Sequence, residues 1–269
     1  MSLSIAIVTY RTSAAMLERC LAALSTSVER ARAGGRAAEV DLFVVDNSPA
    51  TEPAPVIPPG AWISGSARVI HGHGNVGYGS ANNLVLEELR SDVHVVMNPD
   101  VEVDADAIGG ALAALAGHPD IGLVAPDVYD AHGARQYLCK RYPSVWVLFL
   151  RGFAPGFLRR RFREQIDRYE MRDAIADQFV PGIPLASGCF MAVRTALYKS
   201  VGGFDGRYFM YFEDYDLSVR LSRHAGLAYA PEARIVHHGG GAAAKGWRHV
   251  AWFLGSAWRF FSRHGWKLA

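Results

Sequence analysis

Short apolar runs alternate with longer amphipathic segments along the first half of the chain. Runs rich in β-branched residues at 3–10, 40–47, 67–72, 93–99 and 121–128 are typical of strands buried on both faces. Segments 14–26, 77–90 and 106–118 carry apolar residues at helical spacing. Strands that alternate with helices predict an α/β fold with a mostly parallel sheet and helices on both faces.

This alternation ends near residue 130. Residues 137–184 are aromatic and basic and indicate no clear element, whereas 188–197 predict a strand followed by a helix. Segment 211–226 predicts a helix, and 228–238 a strand. We therefore expect two halves, a nucleotide-binding half at 1–130 and an acceptor-binding half at 131–269.

Composition narrows the class of protein. The chain has 269 residues, half of them apolar, and a net charge of +2, so nothing indicates a nucleic-acid binder. Its three cysteines are far apart and form no C-x-x-C, which argues against a disulfide framework or a zinc site. With no signal-peptide pattern and no run of 18 apolar residues, we expect a cytoplasmic protein, soluble or peripherally bound to a membrane.

Polar residues follow three of the predicted strands. Thr9 and Tyr10 end the first, Asp46 ends the second, and Asn98 and Asp100 follow the fourth. Ligands of open parallel sheets bind beyond the carboxyl ends of the strands, so one binding site is expected here. The alternative for each residue is a turn or cap role.

The glycine-rich stretch 72–83 does not match a dinucleotide fingerprint. Gly77 and Gly79 would allow a ligand to approach the backbone closely, and a helix starting near Ser80 would present N–H groups to an anion. A plain glycine-rich turn is the alternative.

An acidic run follows the fourth strand. Asp100 and Glu102 are hard oxygen ligands in a D-x-D-like spacing that suits Mg²⁺ or Mn²⁺, whereas Asp104 fits the start of the next helix. His237 and His238 end a later strand, and only one of them should face the site because neighbouring strand residues point to opposite sides. An imidazole ligand would favour Mn²⁺, and a structural histidine is the alternative.

Segment 208–216 carries further candidate chemistry. Glu213, Asp214 and Asp216 lie where a helix begins, so helix-end electrostatics accounts for one or two of them. The other interpretation is a carboxylate base that deprotonates a hydroxyl nucleophile. The aromatic residues at 208–212 would offer a surface on which a sugar stacks.

Taken together, these motifs resemble the inverting family 2 glycosyltransferases of GT-A fold, and especially their rhamnosyltransferase-like branch. The resemblance covers nearly the whole chain and rests on "IAIVTYR" with "FVVDNS", "GNVGYGSANN", "MNPDVEV", "GGFDGRYFMYFEDYDLSVRL" and "RIVHHGGG". Arg11 stands where many relatives carry Asn, and Glu102 stands where Asp is more usual.

The resemblance implies roles for individual residues. Asp214 would be the catalytic base, and Asp46 would contact the nucleotide base. The metal ligands would be Asp100, Glu102 and His237, and the acceptor would meet Gly188, Tyr211 and Glu213. The donor site would comprise Thr9, Tyr10, Arg11, Asp46, Asn75, Gly77, Tyr78, Asn82, Asn83, Asn98 and Asp100.

The implied activity is a metal-dependent transfer of a sugar from a nucleoside diphosphate to a glycan acceptor, as in bacterial cell-surface polysaccharide synthesis. The branch points to dTDP-L-rhamnose, with UDP- and GDP-sugars as alternatives. A sugar-phosphate nucleotidyltransferase is a second reading, although the N-terminal region lacks its glycine-rich basic loop. A catalytically silent glycan- or nucleotide-binding protein is a third.

The C-terminal stretch is basic and aromatic. No acidic residue follows Glu232, and residues 245–267 include Lys245, Arg259 and four of the six tryptophans. Such a helix is typical of binding to an anionic membrane surface, and segment 146–163 has the same character. Both favour a lipid-linked acceptor and a peripheral location at the inner face of the cell membrane. Core packing of an apolar stripe that includes Phe253 and Phe260 is the alternative.

Overall fold

The structure, a computed structural model, describes residues 1–58, 65–239 and 246–269. Parts of three sequence predictions lie outside these residues. They are the end of the proline-rich stretch 49–60, whose composition predicts a surface loop (Pro59, Gly60), two glycines of the histidine-glycine element (Gly240, Gly241), and Lys245 before the C-terminal helix.

The strands and helices alternate through the first half, as predicted. Its elements are β1 (Leu3–Thr9), α1 (Ala14–Ala33), β2 (Val40–Asp46), β3 (Ala67–Ile70), α2 (Tyr78–Asn83), β4 (Val93–Met97), β5 (Val101–Val103), α3 (Ala107–Gly117) and β6 (Ile121–Tyr129). The second half contains β7 (Arg135–Gln136), α4 (Val145–Gly152), α5 (Gly156–Arg161), α6 (Arg163–Tyr169), β8 (Val180–Pro181), β9 (Phe190–Arg194), α7 (Thr195–Ser200), α8 (Glu213–Leu221), β10 (Gly226–His237) and α9 (Trp247–His264).

These strands form one mixed sheet in the order β3-β2-β1-β4-β9-β6-β10-β5, with β7 and β8 pairing at β6 and β10. β3, β2, β1 and β4 are mutually parallel, as are β6 and β10. β9 is antiparallel to both neighbours and joins the two parallel groups. The prediction of an α/β fold with a mostly parallel sheet is confirmed. The division into two halves at residue 130 stays a prediction. β9 and β10 of the second half belong to the same sheet as the strands of the first half.

Helices cover both faces of the sheet because successive strand residues point to opposite sides. Ile5 and Ile7 of β1 pack with α1 and α3 in one core, whereas Ala6 and Val8 pack with α2, α7 and α8 in the other. Burying strands on both faces explains why they read as continuous apolar runs.

A third apolar cluster joins segments that lie far apart in sequence. Tyr169 at the end of α6 packs with Leu148 of α4, Phe212 before α8, and Phe260 and Phe261 of α9. The unassigned stretch 137–184 therefore folds as three short helices, with β8 following them. The C-terminal helix is confirmed, and part of its apolar stripe is buried core.

The predicted helix at 77–90 is shorter than expected. α2 ends at Asn83, and a 3₁₀ turn follows at Leu86–Glu88. The Asn83 side chain bonds the backbone of Phe204, donating to its carbonyl oxygen at 2.7 Å and accepting from its N–H at 2.9 Å. Asn competes in this way with a continuing helix, because its side chain offers the backbone other partners.

Asp216 of α8 connects this helix to α9. Its buried carboxylate accepts a hydrogen bond from Arg220 Nε at 2.6 Å and lies 2.7 Å from Nε2 of the buried His264 side chain. This residue therefore supports the packing of two helices. None of the described helices combines the length and the apolar character needed to cross a bilayer.

Candidate active site

Asp46, at the carboxyl end of β2, is held by a dense set of donors. Its carboxylate accepts hydrogen bonds from Thr9 Oγ1 at 2.9 Å and Ser48 Oγ at 2.7 Å, and it lies 2.8 Å from His71 Nδ1. Burial alone raises the pKa of Asp46, but hydrogen bonds from Ser48, Thr9 and His71 outweigh it and hold the pKa below its ordinary value. Asp46 is therefore a fixed, ionised acceptor. Sequence reasoning missed His71, although it follows β3 as Asp46 ends β2.

A cavity of about 690 Å³ opens beside this carboxylate, lined in part by Thr9, Arg11, Asp46 and Glu52. This volume lies within the usual range for small-molecule sites, roughly 300–1,000 Å³. Arg11 has a left-handed backbone with φ of 48°, and its guanidinium contacts Glu52 at 2.7 Å. The predicted donor residue Tyr10 lies next to this cavity without lining it and is half exposed.

The glycine-rich stretch packs against the loop that precedes α8. Gly77 has a φ of 89°, and a Cβ there would lie 2.5 Å from the carbonyl oxygen of Phe209. The N–H of Tyr78 donates to that oxygen at 3.1 Å, and Asn75 Oδ1 accepts from the N–H of Gly77 at 3.0 Å. The N–H groups of Gly77 and Tyr78 are thus bonded within the protein, and the expectation that the start of the helix near Ser80 presents N–H groups to an anion stays a prediction. The helix starts at Tyr78 and has only six residues.

Two predicted donor residues of α2 bond to protein groups. Asn82 is buried and donates to the carbonyl oxygen of Tyr78 at 3.1 Å, while Asn83 holds Phe204 as described above. Tyr78 donates through its hydroxyl to the carbonyl oxygen of Gly188 at 2.7 Å. Tyr78 therefore positions the backbone at Gly188.

Asp100 and His237 meet at the end of β10, with Nε2 of the histidine 3.5 Å from Oδ1 of the carboxylate. Asp100 Oδ1 is buried without a hydrogen-bond partner among the described residues. Gly239 leaves the space beside both groups open, because a Cβ there would clash with Asp100 Oδ2 and contact His237 Nε2. Two ligands of one octahedral ion lie roughly 3 Å apart, so this pair fits a shared divalent cation.

Glu102 lies away from this pair. Its carboxylate accepts from Arg19 Nε at 3.0 Å and lies 2.9 Å from His238 Nε2. His237 is thus the histidine that faces Asp100. The described residues contain no group of three His, Cys, Asp or Glu side chains placed to hold a metal, so the predicted set of Asp100, Glu102 and His237 is not assembled there.

Asp214, in the first turn of α8, lies beside Gly188. Its carboxylate accepts from the Gly188 N–H at 3.0 Å and from the Tyr215 N–H at 2.9 Å. Burial raises the pKa of Asp214 to about 6 despite these two donors. Burial and then the charge of Asp214 raise the pKa of the neighbouring Glu213 to about 8. Both pKa values are therefore raised, and that of Glu213 is raised further.

The backbone before α8 is strained. Tyr211 and Phe212 both adopt left-handed conformations, with φ of 69° and 62°. Non-glycine residues in this region cost of order 1–3 kcal/mol each and cluster at functional sites. The Tyr211 hydroxyl lies 2.8 Å from His249 Nδ1 of α9. These two residues lie directly before the turn of α8 that contacts Gly188.

A second cavity of about 160 Å³ adjoins the two acids. Its lining includes Glu213, Asp214, Leu148, Phe253 and Arg151. Arg151 was not predicted as a site residue, and its only sequence signal was membership of the basic aromatic segment 146–163. The structure thus brings Asp214, Glu213, Gly188 and Tyr211 together.

The family is decided by a match between residues 4–202 and the model of "Glycosyl transferase family 2". The chain belongs to glycosyltransferase family 2. This glycosyltransferase is 29% identical over 234 residues to the N-acetylglucosaminyl-diphospho-decaprenol L-rhamnosyltransferase of Mycobacterium tuberculosis, a match that covers 82% of this chain and 71% of the relative. It is also 48% identical over 54 residues to the rhamnosyltransferase WbbL of Escherichia coli, covering 19% and 20% of the two chains.

Solved structures confirm the GT-A fold. GalNAc-T7 with UDP, GalNAc and Mn²⁺ matches with a TM-score of 0.61 at 14% identity, covering 97% of this chain and 47% of that one. The mannosyltransferase PcManGT of Pyrobaculum calidifontis, with GDP-Man and Mn²⁺, matches with a TM-score of 0.60 at 16% identity, covering 98% and 64%. The glycosyltransferase thus spans about half and about two thirds of these two chains.

The buried acid pair makes stability depend on pH. Both pKa values lie above their ordinary values of 3.8 and 4.5, so the stability linked to the protonated forms is complete below about pH 4. It is lost as the pH rises through about 6 and about 8.

Glu213→Gln removes one ionisation, so wild type should lose over about 1 kcal/mol more unfolding free energy than this variant between pH 5 and 8.5.

Urea unfolding of both proteins at three pH values measures this difference. Subtracting one protein from the other cancels the titratable groups that do not interact with Glu213, so the difference belongs to the Glu213–Asp214 pair. Equal losses of unfolding free energy in wild type and Glu213→Gln between pH 5 and 8.5 would contradict the raised pKa of Glu213.

Proposed function

We propose that this enzyme transfers L-rhamnose from dTDP-L-rhamnose to a hydroxyl of a glycan acceptor, with inversion at the anomeric carbon. The observation that carries the proposal is the partly exposed Asp214 carboxylate, which accepts hydrogen bonds from two backbone N–H groups and lines a cavity together with Glu213. A general base works best with a pKa near the working pH, and a pKa of about 6 meets this requirement.

The donor nucleotide would occupy the 690 Å³ cavity at the ends of β1 and β2. Asp46 would accept hydrogen bonds from the base or ribose, because its carboxylate is fixed and ionised. Arg11 lines the same cavity and offers a cation to the donor.

Asp100 and His237 would hold the divalent cation, with Mn²⁺ favoured over Mg²⁺ by the imidazole. When bound, the cation supplies charge neutralisation for the diphosphate leaving group. Glu102 has no part in this pair, because Arg19 and His238 hold its carboxylate.

Transfer follows from the position of Asp214. The acceptor hydroxyl attacks the anomeric carbon on the face opposite the diphosphate and gives its proton to the Asp214 carboxylate. The new glycosidic bond forms as the bond to the diphosphate breaks, so the nucleoside diphosphate leaves with that electron pair. Inversion follows from this single displacement.

The acceptor would enter beside Gly188, Tyr211 and Glu213. Gly188 lies against both Asp214 and the ring of Tyr78, and a Cβ there would approach each to 3.3 Å. Glu213, whose pKa is raised by burial, would donate a hydrogen bond to an acceptor oxygen in its protonated form. The bare backbone at Gly188 therefore leaves the base accessible.

The Mycobacterium relative supports the choice of sugar, since its name specifies an L-rhamnosyltransferase acting on N-acetylglucosaminyl-diphospho-decaprenol. By analogy we infer a lipid-linked acceptor and action at the inner face of the cell membrane. The basic aromatic helices α4, α5 and α9 support this location, because cationic residues attract anionic lipid headgroups.

Asp214→Asn preserves shape and removes the base. Transfer should fall by about two orders of magnitude or more, while the nucleotide and cation bind as before. Single-turnover assays with a working acceptor, beside calorimetry of donor binding, measure both quantities. Asp173→Asn, which alters a half-exposed carboxylate paired with Arg141, is the control. Near-normal transfer by Asp214→Asn would assign the base to another residue.

Asp100→Asn tests the cation pair. We expect Mn²⁺-supported dTDP binding to weaken by about tenfold or more, because a carboxylate ligand is lost. Asp104→Asn should change binding by less than about twofold, since Asp104 lies in an exposed pair with Arg234 and such pairs contribute little. Calorimetry with and without Mn²⁺ measures both variants, and equal losses would contradict the assignment of Asp100.

The nucleotide is tested separately. With Mn²⁺ present, dTDP should raise the melting temperature more than GDP does at equal concentration, because a tighter ligand stabilises the folded state more. A thermal-shift panel of dTDP, UDP and GDP provides the ranking. A larger shift with GDP would refute dTDP-L-rhamnose as the donor.

A further inference from the structure

An apolar groove of about 400 Å³ lies between α4 and α9. Among the residues that line it are Val145, Phe149, Phe153, Leu254, Trp258 and Trp266. Several are well exposed, with Trp258 at 67% and Leu254 at 55% of their full accessible area. Contiguous exposed apolar surface of this kind marks a binding site more often than chance would give.

The groove shares a wall with the catalytic cavity. Leu148 of α4 and Phe253 of α9 line both the groove and the 160 Å³ cavity that contains Asp214. A ligand in the groove would therefore lie next to a ligand at the base.

The surroundings of the groove are cationic. Arg151 lines the catalytic cavity on the side of α4, with Nε donating to Glu170 at 3.1 Å. Residues 145–163 contain no acid and five arginines, of which Arg151 and Arg163 pair with Glu170 and Asp167. Arg259 and Lys267 add positive charge on and after α9, whereas Arg263 pairs with Asp205 and Asp216. A ligand with an apolar body and an anionic group beside it would match this distribution.

We propose that this groove, the chain groove, binds the hydrocarbon chain of a lipid diphosphate-linked glycan acceptor. The acceptor's phosphates then lie near Arg151 and its sugar hydroxyl near Asp214. This assignment rests on the proposed function and adds to it the site that selects a lipid-linked acceptor.

Shape favours a single chain over a bilayer as the occupant. The chain groove is concave, its volume falls within the range of small-molecule sites, and it leads to the catalytic cavity through a shared wall. A hydrocarbon chain bound in the groove would place its attached headgroup next to Asp214. Binding to a flat lipid surface would need no groove that leads to the catalytic cavity.

Calorimetry with decyl diphosphate and butyl diphosphate tests the chain groove without any transfer reaction. Wild type should bind the decyl compound at least about tenfold more tightly, because each buried methylene adds favourable transfer free energy. Both compounds are used below the concentration at which decyl diphosphate forms micelles.

Trp258→Gln and Leu254→Ser should reduce this decyl-to-butyl preference to below about threefold, since they remove apolar wall area. Trp247→Gln is the matched control, because Trp247 is on the same helix, 78% exposed and outside the chain groove. Arg151→Gln should weaken the binding of decyl diphosphate and of butyl diphosphate by the same factor, so the decyl-to-butyl preference should stay unchanged. Thermal unfolding confirms that each variant is folded.

Equal binding of the two compounds, or equal losses in Trp258→Gln and Trp247→Gln, would overturn the proposal. Flotation with phosphatidylglycerol vesicles without a chain-length preference would overturn the proposal in favour of a membrane surface. Dissociation of a dimer by Trp258→Gln in sedimentation would overturn it in favour of a second copy of the chain. Wild type that prefers decyl diphosphate but transfers sugar from none of the nucleotide sugars would support the chain groove. That result would count against the proposed function alone.

Discussion

The hydrogen bond from the Asn98 N–H to the carbonyl oxygen of Cys189, at 2.9 Å, sets the geometry on which the site depends. It extends the antiparallel pairing of β4 with β9, in which Met97 lies opposite Phe190. The end of β4, which leads to Asp100, is thereby held against the start of β9, which is preceded by Gly188. Because Gly188 in turn donates to Asp214, two paired backbone segments connect the end of β4, which leads to Asp100, with the Asp214 carboxylate.

Two neighbouring carboxyls buried together would both remain protonated without local donors, because burial disfavours charge. Here the backbone N–H groups of Gly188 and Tyr215 both donate to Asp214, while one carboxylate oxygen of Glu213 is buried without a partner among the described residues. The pKa of Glu213 is therefore raised further than that of Asp214. The charge of Asp214 adds to the effect of burial at Glu213, whereas the N–H groups that point to Asp214 offset burial there.

Much of the fold and part of the site could be predicted from local patterns. Strands buried on both faces read as apolar runs, and Asp46, Asp100 and Asp214 are candidates because they follow strands or begin a helix. The rest depends on contacts between distant residues. Asn83 bonds Phe204, 121 residues away, so its motif position did not reveal that it holds a loop. The orientation of Glu102 toward Arg19 and His238 is likewise set by tertiary packing that no local spacing encodes.

The link between α8 and α9 through Asp216 and His264 has a further consequence. α8 begins with Glu213 and Asp214, α9 forms one side of the chain groove, and the contact between the two helices is buried. Energetic coupling between sites is carried by packed elements with two arrangements. If the chain groove holds the acceptor as proposed, a shift of α9 on binding would reach the first turn of α8, and the enzyme would sense a seated acceptor before it commits its donor sugar.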